Sequence, residues 1–115
     1  MKLKEIAQIV EGKILTKTVD LEREVFTACG SDMMSDVLAF VKHQSVLLTG
    51  LNNPQAIRTA QIMDMLCVVF VRGKVPSEQI IDMGEQNNIA IISTDKTMFV
   101  ACGLLYMNGL KEETL

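Results

Sequence analysis

Two short polar segments of the chain carry residue types that bind small anions. The first runs from Thr49 to Asn53 and ends just before Pro54, where a helix is predicted to begin. The second runs from Arg72 to Lys74 and places one cation on each side of a flexible glycine. Free backbone N–H groups at the start of a helix attract phosphate or carboxylate, and arginine binds such groups through two parallel hydrogen bonds. These segments therefore predict a site for a small anionic ligand, with a nucleotide as one candidate.

Ten residues form the candidate ligand-binding set, and all of them lie in loops that follow predicted strands. The set is Asp32, Thr49, Gly50, Asn52, Asn53, Arg72, Gly73, Lys74, Ser93 and Thr94. Ordinary turn chemistry is the alternative interpretation, because glycine, asparagine, serine and proline are also the residues that tight strand-to-helix turns require. Both interpretations stay open at the level of the sequence.

Signatures of catalysis are missing from the chain. The sequence contains no P-loop motif, no dinucleotide-binding glycine motif and no nucleophile elbow. The one histidine, His43, is predicted at a helix end, where its charge favours the helix dipole. Capping and helix-surface roles account for Asp32, Asp36 and Asp95, the carboxylates in or near the loops that follow the predicted strands. We therefore predict a protein without enzymatic activity, metal or cofactor; the alternative is an enzyme that uses Asp32 or Asp95 as its acid or base.

The loops that hold these residues follow four short apolar runs of near-constant spacing. The runs are Val25–Cys29, Val46–Leu48, Cys67–Val71 and Ile89–Ile92, and they start 21, 21 and 22 residues apart. A strand, a loop and a helix of about three turns fill roughly 21 residues. Parallel strands with right-handed crossovers place such loops at one edge of the sheet, where open α/β sheets usually hold ligands. We predict an α/β fold, a three-layer α/β/α sandwich with a mainly parallel sheet of four to five strands built from consecutive strand–helix units.

Local signals predict where the elements begin and end. Asp32 is predicted to cap the helix Met33–His43, and Asn53 to cap a helix that begins at Pro54 and runs to about residue 66. The strand Cys67–Val71 is apolar on both faces, which is typical of the middle of a covered sheet. The other predicted helices are Leu3–Val10, one that begins at Pro76-Ser77, and a last one over Lys96–Asn108 that Thr94-Asp95 opens. The other predicted strands are Lys13–Leu15 and Arg23–Gly30. In the second of these strands, Val25, Thr27 and Cys29 are predicted on one face and Phe26 and Ala28 on the other.

Length and composition predict one domain over residues 1–115 and exclude several classes of partner. The net charge of −3 and the mixed distribution of charges lack the basic footprint of nucleic-acid binding. The amino terminus has no signal-peptide core, and no apolar run approaches the ~20 residues of a membrane span, so we expect a cytoplasmic protein. Cys29, Cys67 and Cys102 are far apart and form no C-x-x-C pair, which favours small buried hydrophobes.

Methionine is unusually frequent, with eight residues in the chain. Seven of them fall in predicted helices and cannot all face one small sheet: Met33, Met34, Met63, Met65, Met83, Met98 and Met107. Flexible thioethers suit adaptable contact surfaces, so we expect the chain to form a homodimer. The alternative is that methionine fills a core that has few aromatic residues.

Four segments of the chain resemble the DRTGG domain family, over roughly Ile6 to Leu110. The segments are Ser35–Phe40, Val46–Gln55, Phe70–Glu78 and Ile91–Thr94. The string that names the family is not present literally. Its nearest local counterpart is Val71-Arg72-Gly73-Lys74, in which Lys74 stands in place of a second glycine.

The resemblance implies an α/β/α domain similar to the amino-terminal domain of HPr kinase/phosphorylase. Members of the family look like regulatory or association modules that support dimerisation, between CBS domains in some inorganic pyrophosphatases and ahead of the acyltransferase domain in some phosphotransacetylases. Stand-alone copies near hydrogenase and sensor-kinase genes imply redox-linked regulation and a regulatory protein partner. The part of the kinase that carries its phosphate-binding loop has no counterpart here, so kinase activity is not implied.

Two hypotheses follow for the function of the chain. The first is a non-catalytic regulatory and association domain that binds a second copy of itself and senses a small anionic ligand. The second is a nucleotide- or phosphometabolite-binding sensor that uses the loops after the second and third main strands.

Overall fold

The computed structural model describes residues 1–40 and 44–111. His43, and with it the predicted end of the second helix, lies outside the described residues. The elements in chain order are α1 (Leu3–Ile9), β1 (Lys13–Ile14), β2 (Thr27–Gly30), α2 (Met34–Phe40), β3 (Ser45–Thr49), α3 (Pro54–Ile62), β4 (Cys67–Phe70), α4 (Glu78–Gln86), β5 (Ala90–Ser93) and α5 (Met98–Met107).

The five strands form one sheet in the order β1-β5-β4-β3-β2. The strands β2 to β5 are parallel, and β1 pairs antiparallel with β5. The predicted α/β fold with a mainly parallel sheet of four to five strands is therefore confirmed. The apolar strand β4 lies in the middle of the sheet, with all of its residues buried, as its sequence predicts.

Successive residues of the inner strands contribute to two hydrophobic clusters. Val46 and Leu48 of β3 pack in one cluster with residues of α1 and α5. Leu47, between them, packs in the other cluster with residues of α2, α3 and α4. The period-two alternation of a strand therefore supplies apolar side chains to both clusters, and each cluster is completed by helices.

Among the helix boundaries that differ from their predictions, two have a local reason. The helix α3 ends at Ile62 because Asp64 adopts a left-handed φ of 57°, which reverses the chain. The helix α5 begins at Met98 rather than two residues earlier, because Thr97 is its N-cap and accepts a hydrogen bond from Val100 N.

The strand β2 is shorter than predicted and begins at Thr27 rather than at residue 23. The segment before it bonds instead to the start of the chain, where Val25 N donates to Met1 O at 2.8 Å. The predicted opposite faces of Ala28 and Cys29 are confirmed, whereas the placement of Val25 on the face of Cys29 is wrong for this reason. Val25 and Ala28 both pack with the α1 and α5 cluster, whereas Cys29 packs against the other cluster.

The methionines mostly fill gaps in the core. Met34 and Met65 are buried, and Met63, Met83 and Met98 are partly buried against the two clusters, whereas Met33 and Met107 are exposed. The core-filling interpretation therefore accounts for most of them. Among the cysteines, Cys67 is buried and its pKa is raised by desolvation, while Cys29 and Cys102 are half-buried.

Candidate functional site

The carboxyl ends of three neighbouring strands bring four of the predicted site residues into contact. Asp32 follows β2, Thr49 ends β3 with Gly50 just beyond it, and Arg72 follows β4. The Asp32 Oδ1 accepts hydrogen bonds from Gly50 N at 2.6 Å and from Thr49 Oγ1 at 3.2 Å. The Asp32 Oδ2 lies 3.6 Å from Arg72 Nη2. We refer to Asp32, Thr49, Gly50 and Arg72 as the loop-edge cluster.

Asp32 does not cap α2, so this part of the sequence-based prediction is wrong. Near the start of α2 the acceptor is Ser31, whose Oγ receives a hydrogen bond from Met33 N at 3.0 Å. The Asp32 carboxylate bonds instead to the loop after β3. A carboxylate that meets both a backbone N–H and a guanidinium makes charge-assisted hydrogen bonds, which are stronger than neutral ones.

The side chain of Arg72 lies across Gly50 while its backbone is held by the loop after β5. Arg72 N donates to Lys96 O at 2.7 Å, and Gly73 N donates to Thr94 O at 2.9 Å. Arg72 and Gly73 have φ values of 59° and 71°, in the left-handed region that is costly for a residue other than glycine. A Cβ at Gly50 would overlap the Arg72 guanidinium, so glycine is required for this close approach.

The other amide and hydroxyl residues of the predicted set hold the loops. Asn52 Nδ2 donates to Val75 O at 3.2 Å, and Ser93 Oγ donates to Lys74 O at 2.9 Å. These two bonds fix the loop after β4 from both neighbouring loops. Asn53 caps α3 as predicted, because its Oδ1 accepts from the backbone N–H two residues further on at 2.8 Å.

Thr94 is placed differently from the exposed members of the set. Its side chain is buried, and its Oγ1 donates to Val10 O at 2.7 Å. The same oxygen accepts from Lys96 N at 3.2 Å. Thr94 therefore joins the end of α1 to the loop after β5, which is a structural role.

The charges of the loop-edge cluster remain accessible to solvent. The side chains of Asp32 and Arg72 are each 52% exposed, so water and salt weaken their attraction. Lys74 is also exposed, on the next turn of the same loop. In chemical terms, the cluster is a guanidinium and a backbone N–H that both face one carboxylate. An anionic group with the same acceptor geometry would satisfy the same two donors.

A second feature, which sequence reasoning missed, is the outer surface of α5. Its inward residues Ala101 and Leu105 are buried in the core, yet Phe99 and Met107 are 86% and 82% exposed. Helices that are apolar on every side are usually buried, so this exposure is unusual. The signal in the sequence is the run from Met98 to Met107, which contains no charged residue.

A mostly apolar cavity of about 230 Å³ is lined by residues of α5 and of the strands β2 and β3. Tyr106 lines the cavity and belongs also to the exposed surface of α5. Burial raises the pKa of Cys102, which lines the same cavity, so its thiol stays protonated. The complete lining is Ala28, Gly30, Leu48, Cys102, Leu105, Tyr106 and Leu110.

Two further features are absent from residues 1–40 and 44–111. Among these residues, no helix has the length and apolar character needed to cross a bilayer. In the same part of the chain, no group of three or more His, Cys, Asp or Glu residues is arranged to hold a metal ion.

The sequence profile of the DRTGG domain matches residues 5–106 of the chain. The chain belongs to the DRTGG domain family. The resemblance drawn from the four sequence segments is thereby confirmed. No curated protein sequence is similar enough to this DRTGG domain to count as a match.

A solved structure shares the fold of this DRTGG domain. It contains the CBS and DRTGG domains of the regulatory region of Clostridium perfringens pyrophosphatase, complexed with the activator diadenosine tetraphosphate. The TM-score is 0.76 and the sequence identity is 20% over 90% of the present chain. The match spans 45% of the pyrophosphatase chain, so the DRTGG domain corresponds to less than half of that regulatory region.

Proposed function

We propose that this three-layer α/β/α domain is a non-catalytic regulatory and association module that pairs with a second copy of itself. The observation that carries the proposal is the exposed outer surface of α5. Phe99 and Met107 lie almost wholly in water, and Tyr106 is 58% exposed. Burial of apolar surface is the dominant favourable contribution in most protein–protein association. Contiguous exposed apolar surface of this kind marks interaction sites.

The regulatory part of the proposal is supported by membership of the DRTGG domain family and by the pyrophosphatase regulatory region with the same fold. A regulatory protein is a further candidate for a binding partner. The outer surface of α5 is one surface through which it would bind. The loop-edge cluster supports a role without catalysis, because the Asp32 carboxylate is engaged by Gly50 N and Thr49 Oγ1.

Sedimentation velocity tests the association directly. The chain has a mass of 12.7 kDa, and we expect the weight-average mass to approach twice this value as the concentration rises. A small interface of one helix is consistent with a dissociation constant in the micromolar range, so the series should run from about 5 to about 500 µM. A mass that stays at the monomer value throughout this series contradicts the proposal.

The loop-edge cluster favours a second candidate function, that of a sensor for nucleotides or phosphorylated metabolites. In this proposal a phosphate group replaces the Asp32 carboxylate on Gly50 N and Arg72. Lys74 adds a second cation, and Gly73 permits the turn that carries both basic residues. Asn52, Asn53, Ser93 and Thr94 hold the loops in place. The activator bound to the pyrophosphatase regulatory region, diadenosine tetraphosphate, is a ligand of this chemical class.

A thermal-shift screen tests the sensor proposal with inorganic phosphate, adenine nucleotides and diadenosine tetraphosphate. A ligand at one hundred times its dissociation constant stabilises the folded state by about 2.7 kcal/mol. The stabilisation should disappear in Arg72→Ala. It should persist in Arg23→Ala, which removes the same charge at the opposite edge of the sheet, where Arg23 Nη1 donates to Asn88 O at 2.5 Å. No stabilisation by any of these compounds at millimolar concentration contradicts a phosphate site.

A further inference from the structure

The exposed residues of α5 are arranged symmetrically about Gly103. Phe99 and Met107 stand four residues before and after it, and Val100 and Tyr106 stand three residues before and after it. All four side chains are exposed, as is the glycine itself. At 3.6 residues per turn, the five positions lie within about 60° of Gly103 around the helix. They form one apolar stripe, which we call the α5 stripe.

We propose that the α5 stripe binds the α5 stripe of a second copy, with the two helices antiparallel and a twofold axis passing at Gly103. This inference rests on the proposed self-association and specifies its surface. In such a pair, residues equally far before and after Gly103 face each other. Phe99 then meets Met107 of the second copy, and Val100 meets Tyr106 of the second copy. Contacts between a thioether and an aromatic ring are favourable.

Among residues 1–40 and 44–111, no contact requires glycine at position 103. A Cβ built at this position has no heavy atom within 4 Å, so the monomer has room for a larger residue. Glycine in the interior of a helix is less stable than alanine there. In the antiparallel pair, however, two glycines on the axis let the helix backbones approach closely. The larger side chains on either side can then interdigitate as ridges and grooves.

The symmetry of the stripe favours a second copy over a different protein. A twofold interface uses the same patch on both subunits, so the patch must be complementary to itself. The helix Met98–Met107 has no charged side chain, and no like charges are opposed when it pairs with itself. The charged residues nearest to the helix in the sequence, Lys96 and Lys111, lie two and four residues beyond its ends, and Lys96 Nζ is paired with Glu11 at 2.9 Å. Within one copy the Lys111 Nζ already lies 5.2 Å from the centroid of the Tyr106 ring.

Exchange of a charge pair tests both the surface and the register of the helices. We expect Phe99→Lys and Met107→Glu each to weaken self-association by about tenfold or more, because each places a lone charge against an apolar partner. The double variant F99K/M107E should associate at least about threefold more tightly than either single variant, since each lysine then faces a glutamate, but it should stay weaker than the unchanged chain because the apolar contacts are lost. Phe99 and Met107 are exposed in the single chain, so circular dichroism should show an unchanged fold in all variants.

Two further variants complete the sedimentation experiment. Gly103→Glu should abolish self-association while the fold is retained, because the monomer has space at this position. Ile62→Glu is the matched control, since Ile62 is 70% exposed but ends α3, which packs in the other hydrophobic cluster. Its self-association should be unchanged.

The outcomes separate this inference from the proposed function. Two results overturn the antiparallel α5 pair: self-association that persists in Gly103→Glu, and a double variant that associates as weakly as the single variants. In either case the chain associates through another surface. A chain that stays monomeric without any substitution overturns both the α5 pair and the proposed self-association.

Discussion

Asp32 links three loops through one carboxylate, and two substitutions separate its contributions. Asp32→Ala removes the acceptor of Gly50 N at 2.6 Å and of Thr49 Oγ1 at 3.2 Å, together with the ion pair to Arg72. Asp32→Asn keeps an oxygen for these donors and removes only the charge. Hydrogen bonds to a charged group contribute about 1.5–3 kcal/mol when buried.

Water replaces part of this contribution, because the Asp32 side chain is 52% exposed. We therefore expect Asp32→Ala to lower the free energy of unfolding by about 1–2 kcal/mol. The ion pair at 3.6 Å is half-exposed on both sides, so its loss in Asp32→Asn should cost less than about 1 kcal/mol. For a chain of this length, about 1 kcal/mol corresponds to about 4 °C in Tm.

Urea unfolding and thermal melting measure these differences, and a phosphate titration adds a second readout. Asp32→Ala leaves Gly50 N and Arg72 without their carboxylate, so inorganic phosphate should stabilise this variant more than the unchanged chain. Equal stability of Asp32→Ala and the unchanged chain would refute the stabilising role of the hydrogen bonds. Equal response to phosphate would refute the idea that the carboxylate occupies the position of an anionic ligand.

Three further predictions concern stability. Thr94→Val leaves a buried carbonyl at the end of α1 without its donor and should cost about 1–3 kcal/mol in urea unfolding; unchanged stability would contradict the structural role of Thr94. Gly84→Ala places a Cβ 2.6 Å from Ile91 Cδ1 and should destabilise by about 1–3 kcal/mol in the same assay, whereas unchanged stability would argue against this close packing. Hydrogen bonds from Lys4 and then Lys2 lower the pKa of Glu22 from 4.5 to about 2, so its stabilising contribution is present above pH 4.5 and lost as the pH falls towards 2. Glu22→Gln should therefore flatten the pH dependence of stability in that window, and an unchanged slope would contradict the prediction.

The parallel core of the fold could be predicted from the sequence because its signals are local or strongly periodic. The strand β4 is apolar on both faces, and only a covered central position satisfies such a strand. The start of α3 is specified by neighbouring residues alone, because Asn53 caps the helix and Pro54 is its first residue. Regular spacing of the strand–helix units then places the loops at one edge of the sheet.

The errors arise where two partners compete over a long distance in the chain. Asp32 can accept from α2 or from the loop after β3, and only the folded sheet brings Gly50 close enough to decide. Thr94 and Thr97 are both suitable caps, but the packing of α1 engages Thr94 and leaves Thr97 to cap α5. The α5 stripe was missed because an apolar helix suggests burial, and the partner that would bury it is not part of the single chain.

A dilution series followed by ¹⁵N–¹H correlation spectra tests association through α5 residue by residue. As the concentration rises through the micromolar range, we expect the amide signals of residues 98–107 to move or broaden, with the largest changes near Gly103. Signals of α3, on the other side of the sheet, should stay unchanged. Spectra that do not depend on concentration, or changes centred on α3, would contradict association through α5.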